Sequence, residues 1–270
     1  MRSSFLSANV DKPGRSASIW RHGELLRSLV IRNLKLKYQR SVLGFFWTLL
    51  NPLLMVAVLM VVFTYVVRIA LPNYWAFLIS GFFVWNFMQQ SLNVGTYILT
   101  EHANLIRSIA FPKEALIISA VLTRLVEYLA ELLLVVIVLA VVHHRDLPAS
   151  FCMLPLLILL QLLLGVGLAM PIATLSAFYN DVQHVIPIVL MAFFYISPVF
   201  YPLGLVPEDF QSIYLINPFA QLLTLYHAVL YEGKFSSVAL LGTTVLVSTM
   251  IAVVGYVIFN RFKNVFAEIV

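Results

Sequence analysis

Three ionisable residues stand in an otherwise apolar stretch. Arg124, Glu127 and Glu131 are spaced i, i+3 and i+7, which aligns them on one helical face. Charges in apolar surroundings pair with one another or line a wet path, and two readings are open. Either Glu127 and Glu131 carry protons, or they neutralise Arg124 and nearby polar groups and line a channel without titrating. Asp181 and His184 have the spacing of an acid–base pair, but also that of a helix cap beside a surface imidazole. His143-His144 could ligate a metal, although a solvated turn accounts for it more simply. Gly233-Lys234 is followed by Phe235, and no GxxxxGK[ST] run occurs, so the chain has no P-loop for ATP. Gly165 and Gly167 lack the third glycine of a dinucleotide fingerprint and read as sites of close helix packing. No HExxH or CxxC is present, and the single Cys152 cannot form an internal bridge. No catalytic, cofactor-binding or metal-ligating residue is assigned.

The elements that hold these residues follow from composition. Of 270 residues, 61% are apolar and 11% charged, against a usual ~45–50% and ~25%. Mean hydropathy is +0.95. This describes an all-α integral membrane protein. The net charge of +5 reflects Lys and Arg gathered at one membrane face rather than nucleic-acid binding. Long uncharged runs predict spans at Leu49–Val67, Trp75–Thr96, Phe151–Phe178, Gln183–Phe200 and Val238–Phe259. Ala115–Val142, which carries the three charges, is a sixth. The 22 residues between Asp209 and Glu232 are also uncharged, but Asn217-Pro218 breaks the run and Gln211, Gln221 and His227 make it polar. It suits a re-entrant or interfacial hairpin. With six spans, thirteen Lys/Arg fall on one side and three on the other, Arg124 aside. Both termini are then cytoplasmic.

Residues 1–18 read as a disordered cytoplasmic tail and 19–46 as an amphipathic helix in the headgroup layer. Leu26, Leu29, Val30 and Leu34 share one side of it, Glu24, Arg27, Arg32 and Lys35 occupy the rest, and Lys37 intrudes on the apolar stripe. Residues 47–262 form the transmembrane domain and 263–270 a cytoplasmic tail. The loop Glu101–Glu114 is either a knob for a partner's cleft or an ordinary connection. Trp47, Trp75 and Tyr97 suit an interface belt. The aromatic cluster Phe193, Phe194, Tyr195, Phe200 and Tyr201 suits either sugar stacking in a channel or core packing. No internal repeat is evident, so transport would call for a homodimer.

Three stretches carry a resemblance. IRNLKLKYQRSVLGFFWTLLNPL (Ile31–Leu53), FYNDVQHVIPIVLMAFFYISPVFYP (Phe178–Pro202) and LINPFAQLLTLYHAVLYEG (Leu215–Gly233) resemble, in order, segments of the ABC-2 type permeases that export bacterial surface polysaccharides. The likeness runs from about residue 20 to 265. One position departs: where the family often has Arg between Tyr179 and Asp181, this chain has Asn180.

The resemblance implies a channel-forming subunit of an ABC transporter in the bacterial inner membrane. Two copies would act with two copies of a separate ATP-binding subunit, which would supply ATP and Mg. The cargo would be a lipid-linked polysaccharide: O-antigen first, then capsule or teichoic acid. The loop Ala103, Asn104, Leu105, Ile106, Arg107, Ser108 and Ile109 would couple to the ATPase. Asn217, Pro218 and Phe219 would gate the external end. Arg124, Glu127, Glu131, Phe193, Phe194, Tyr195 and Tyr201 would line the channel. Charge position nominates Arg27, Arg32, Lys35 and Arg40 for the pyrophosphate head. The alternatives are a proton-coupled carrier using Glu127 and Glu131, and a membrane enzyme acting on lipid-linked sugars.

Overall fold

A computed structural model describes residues 15–39, 41–107, 111–143 and 148–269. The helices are α1 (Arg15–Tyr38), α2 (Phe46–Val61), α3 (Tyr74–Gly95), α4 (Ile98–Glu101), α5 (Ala103–Arg107), α6 (Lys113–His143), α7 (Leu154–Phe178), α8 (Val182–Ile196), α9 (Glu208–Tyr214), α10 (Pro218–Tyr226), α11 (Val238–Phe262) and α12 (Phe266–Ile269). No strand occurs among the described residues. Of the tail expected over residues 1–18, the first fourteen lie outside the described residues and the rest is helical, since α1 begins at Arg15. Arg40, Ser108, Ile109, His144 and Arg145 also lie outside the described residues, as do the side chains of Arg15–His22, Val142 and His143.

A helix fills each of the six expected intervals. Three are long and apolar enough to cross a membrane by themselves: Phe46–Val66, Ala149–Phe178 and Val238–Phe262. The other three depart from a plain apolar span. Asn86, Gln89, Gln90 and Asn93 lower the hydropathy of α3. Helix α6 is 31 residues long and carries Lys113, Glu114, Arg124, Glu127 and Glu131 before an uncharged stretch from Leu132 to Val142. Helix α8 has 15 residues and stops at Ile196, short of Phe200, because the chain turns extended at Ser197 before Pro198.

Helix α1 also stops early, at Tyr38 rather than Phe46. Gly44 takes a left-handed φ of 51°, and its N–H donates to Ser41 Oγ at 3.1 Å. This turn breaks the helix and starts α2 in a new direction. The expected apolar stripe faces inward, with Leu29 buried and Leu26, Val30 and Leu34 half-buried. Helix α1 packs along α6.

Helix α3 is largely enclosed, with Phe77, Leu78, Phe83, Trp85 and Met88 buried between α2, α6, α7 and α10. Helices α7 and α11 pack closely, and Gly167 and Gly255 lie where they touch. A Cβ on Gly255 would sit 2.0 Å from the Gly167 carbonyl oxygen, and one on Gly167 would sit 2.7 Å from the Ala252 backbone. Small residues let helix backbones approach within a membrane, where no hydrophobic force drives helices together. Gly255→Ala must push the helices apart, at a cost of about 2 kcal/mol, or about 5 °C of melting temperature. Thermal unfolding in detergent measures this. Gly242→Ala, which meets open space, should leave the melting temperature within a degree or so of wild type.

The C-terminal segment expected as a tail is packed instead. Phe266 is fully buried against Phe259, with ring centroids 5.2 Å apart, and α12 rests on α5 and α7. Lys113 Nζ donates to the Lys263 carbonyl at 2.5 Å, which fixes this end of α11 to the start of α6.

Candidate functional site

The charged face of α6 meets the end of α1. Glu127 Oε1 accepts from Lys37 Nζ at 2.7 Å and from the Tyr38 hydroxyl at 2.6 Å. Glu127 Oε2 accepts from Arg124 Nη1 at 3.0 Å. Tyr38 Oη also lies 2.5 Å from Thr48 Oγ1 at the start of α2. One carboxylate therefore gathers α1, α6 and, through Tyr38, α2. An Asn33–Thr123 hydrogen bond of 3.4 Å adds a second tie between α1 and α6. One turn further along, Glu131 Oε1 accepts from Asn86 Nδ2 at 3.1 Å, and Asn86 Oδ1 accepts from Gln90. Burial, then the adjacent Arg124 guanidinium, pulls the Lys37 ammonium below its usual pKa, while Glu127 opposes the shift. Burial and the bond to Glu127 push the Tyr38 hydroxyl up.

Beside this cluster lies a cavity of about 690 Å³, within the range of ligand sites. Lys37, Arg124, Tyr38, Thr48, Asn51, Asn86 and Gln90 make its polar wall, and Leu54, Met55, Val58 and Trp47 of α2 contribute apolar surface. A second cavity of about 380 Å³ continues along the α1–α6 seam to Glu101 and His102, and shares Lys37 and Arg124 with the first. Two cations on a polar wall facing an apolar one suit an amphiphilic anion, such as a phosphate carried on a hydrocarbon chain.

The residues nominated from sequence distribute unevenly. Arg124 lines the cavity, and Glu127 and Glu131 lie buried behind it. Arg27, Arg32 and Lys35 are exposed on the outer side of α1 and line neither cavity. Lys37 is the α1 cation that does. A single charge interrupting an apolar stripe was the signal for it. The contributions of Tyr38, Thr48, Asn86 and Gln90 had no sequence signal.

The aromatic cluster packs mainly inward. Phe193 meets Phe219 at 5.3 Å, Phe194 meets Trp85 at 5.7 Å and Phe200 at 5.4 Å, while Tyr195 is exposed. Tyr201 and Tyr214 share a hydroxyl–hydroxyl bond. Asp181 and His184 are both exposed, and Asp181 sits at the N-cap of α8 without making the side-chain cap.

The chain bends by 107° between α9 and α10. Asn217 caps α10 by accepting from the Phe219 N–H at 3.0 Å, and its amide donates to Ser197 Oγ at 2.9 Å. Pro218 occupies the first turn, where its missing N–H costs nothing. Phe219 is buried against Trp85, with centroids 5.5 Å apart. His227 ends this limb in a buried site, its ring 3.9 Å from that of Phe77. The Pro198 carbonyl, 2.9 Å from His227 Nε2, can only accept, so Nε2 carries the proton. Nδ1 lies 3.0 Å from Ser80 Oγ.

In α5, Ile106 is buried whereas Asn104 and Arg107 are exposed. Ile106 thus anchors the helix, and the other two present a surface.

Residues 24–231 match the family described as ABC-2 type transporter. The chain belongs to that family. An O-antigen export system permease protein from Myxococcus xanthus is 31% identical over 93% of this chain and 96% of its own length. One from Klebsiella pneumoniae is 28% identical over 91% and 95%. A polysialic acid transport protein from Escherichia coli is 24% identical over 78% and 83%. The matched region of this ABC-2 type transporter chain takes in the whole cation-lined cavity and the bent hairpin, and ends just before α11.

Proposed function

We propose that this chain is the membrane permease of an exporter for lipid-linked polysaccharide, most closely O-antigen, in the inner membrane of a bacterium. Six spans with both termini cytoplasmic, a homodimer and two copies of a separate ATP-binding subunit complete the reading. The single observation that carries it is the cavity at the α1–α6 junction. It offers Lys37 and Arg124 to a phosphate and the α2 wall of Leu54, Met55 and Val58 to an isoprenoid chain. The charge distribution supports the topology, and the names of the Myxococcus and Klebsiella relatives support O-antigen as the cargo. Helix α5 is the surface for the ATPase, and the Asn217–Phe219 bend is the external gate.

The test is reconstitution. The chain is co-expressed with a candidate ABC ATP-binding subunit, purified and placed in vesicles with lipid-linked polymer. Translocation should require both proteins and ATP. Uphill movement by the chain alone, or movement that collapses with the proton gradient and ignores nucleotide, would overturn the reading.

A further inference from the structure

Both cations that face the cavity are already engaged, and by the same carboxylate. Glu127 binds Lys37 through one oxygen and Arg124 through the other. Its side chain is 3% exposed, while those of Lys37 and Arg124 are 37% and 16% exposed. The cations are thus reachable from the cavity, and the anion that holds them lies behind. A phosphate approaching from the open side meets two donors whose present partner is a single carboxylate. A diphosphate brings more charge and more acceptor oxygens to the same two donors, and arginine matches phosphate oxygens in bidentate fashion. The carboxylate is also what ties α1 to α6. Among the described residues, the side-chain hydrogen bonds Lys37–Glu127 and Tyr38–Glu127 between α1 and α6 both end on it, and Asn33–Thr123 joins the same two helices.

We propose that Glu127 is a built-in stand-in for the substrate's phosphate. In the empty transporter it holds Lys37 and Arg124 and latches α1 onto α6. An arriving diphosphate head takes both cations, leaves Glu127 with the Tyr38 hydroxyl, and frees the end of α1. The inference rests on the headgroup site proposed above and adds its regulation: cargo is admitted only if it outcompetes an internal anion. This favours a phosphate ester over a carboxylate or a neutral lipid, since a ligand no better than Glu127 leaves the latch shut. It also couples occupancy to the position of α1, whose seam with α6 runs by the second cavity towards α4 and α5.

The experiment uses the assembled complex in lipid nanodiscs with geranylgeranyl diphosphate as probe and geranylgeraniol as its uncharged control. Glu127→Gln removes the competitor while keeping a partner for Tyr38, and should bind the probe about tenfold tighter, as expected when a closed state held most of the population. Asn33→Cys with Thr123→Cys, in a Cys152→Ser background, reports the seam directly through a short bis-thiol cross-linker. The diphosphate should slow cross-linking about fivefold or more, and geranylgeraniol should not. Suppose the probe binds wild type and loses affinity in Lys37→Gln/Arg124→Gln/Glu127→Gln, yet Glu127→Gln gains nothing and cross-linking is unmoved. The latch is then wrong and the headgroup site stands. If no variant binds the probe, the site itself fails and takes the latch with it. Should Glu127→Gln not fold, the cross-linking result decides alone.

Discussion

Replacing Lys37, Arg124 and Glu127 together by glutamine cuts polymer export by at least about a hundredfold while leaving a normally folded permease in the membrane. The size follows from the loss of two charge-assisted hydrogen bonds to a phosphate, each about 1.5–3 kcal/mol. All three positions must change together. Removing one cation alone leaves Glu127, 3% exposed, short of a partner, and an uncompensated buried charge costs about 3–5 kcal/mol of stability. Such a variant would confound a binding defect with misfolding. The neutral triad avoids this because it removes both signs at once. The companion variant, Arg27→Gln/Arg32→Gln/Lys35→Gln, alters three exposed cations that line neither cavity, and should retain export within about twofold, as surface substitutions usually do. Immunoblots of surface polysaccharide, normalised to permease in the membrane fraction, distinguish the two. Equal export from the triad and wild type would remove the cavity from the mechanism.

Arg107→Glu on α5 should lower ATP-dependent export about tenfold or more, the scale of an interface arginine. Ile106→Ala should act on stability instead. Ile106 is buried, and α5 packs against α12, so its truncation costs about 2–5 kcal/mol of stability while folded complexes keep their ATPase rate. The contrast depends on side-chain direction within a five-residue helix. Melting temperature and ATPase rate per mole of assembled complex, measured on both variants, give the answer. An Arg107→Glu complex with normal coupled ATPase would exclude this surface as the transmission point.

The cavity, the latch and α5 differ in how far they could be read beforehand. The α6 charges at i, i+3 and i+7 were legible because helical periodicity alone fixes which residues share a face. The break at Asn217-Pro218 was legible too, since Pro at a helix start and Asn as its cap are local preferences that the 107° bend expresses. The amphipathic stripe of α1 came through the same periodicity, but the helix end did not. It depends on the left-handed turn at Gly44 and on how α2 must lead away. The packed C-terminal turn was equally out of reach, because Phe266 finds Phe259 and the neighbouring helices only once α11 is in place.

Composition and periodicity were enough to establish an all-helical chain with long apolar runs, a basic amphipathic lead-in and no P-loop. Those properties depend on residues within a few turns of one another. The tertiary structure decided which cation serves the cavity. Sequence marks Lys37 off from Arg27, Arg32 and Lys35 only as a charge on the apolar stripe, and the crossing of α1 over α6 is what sets it at the cavity. An ion pair between residues 90 positions apart is set by where two helices cross, and nothing local in either helix encodes that point.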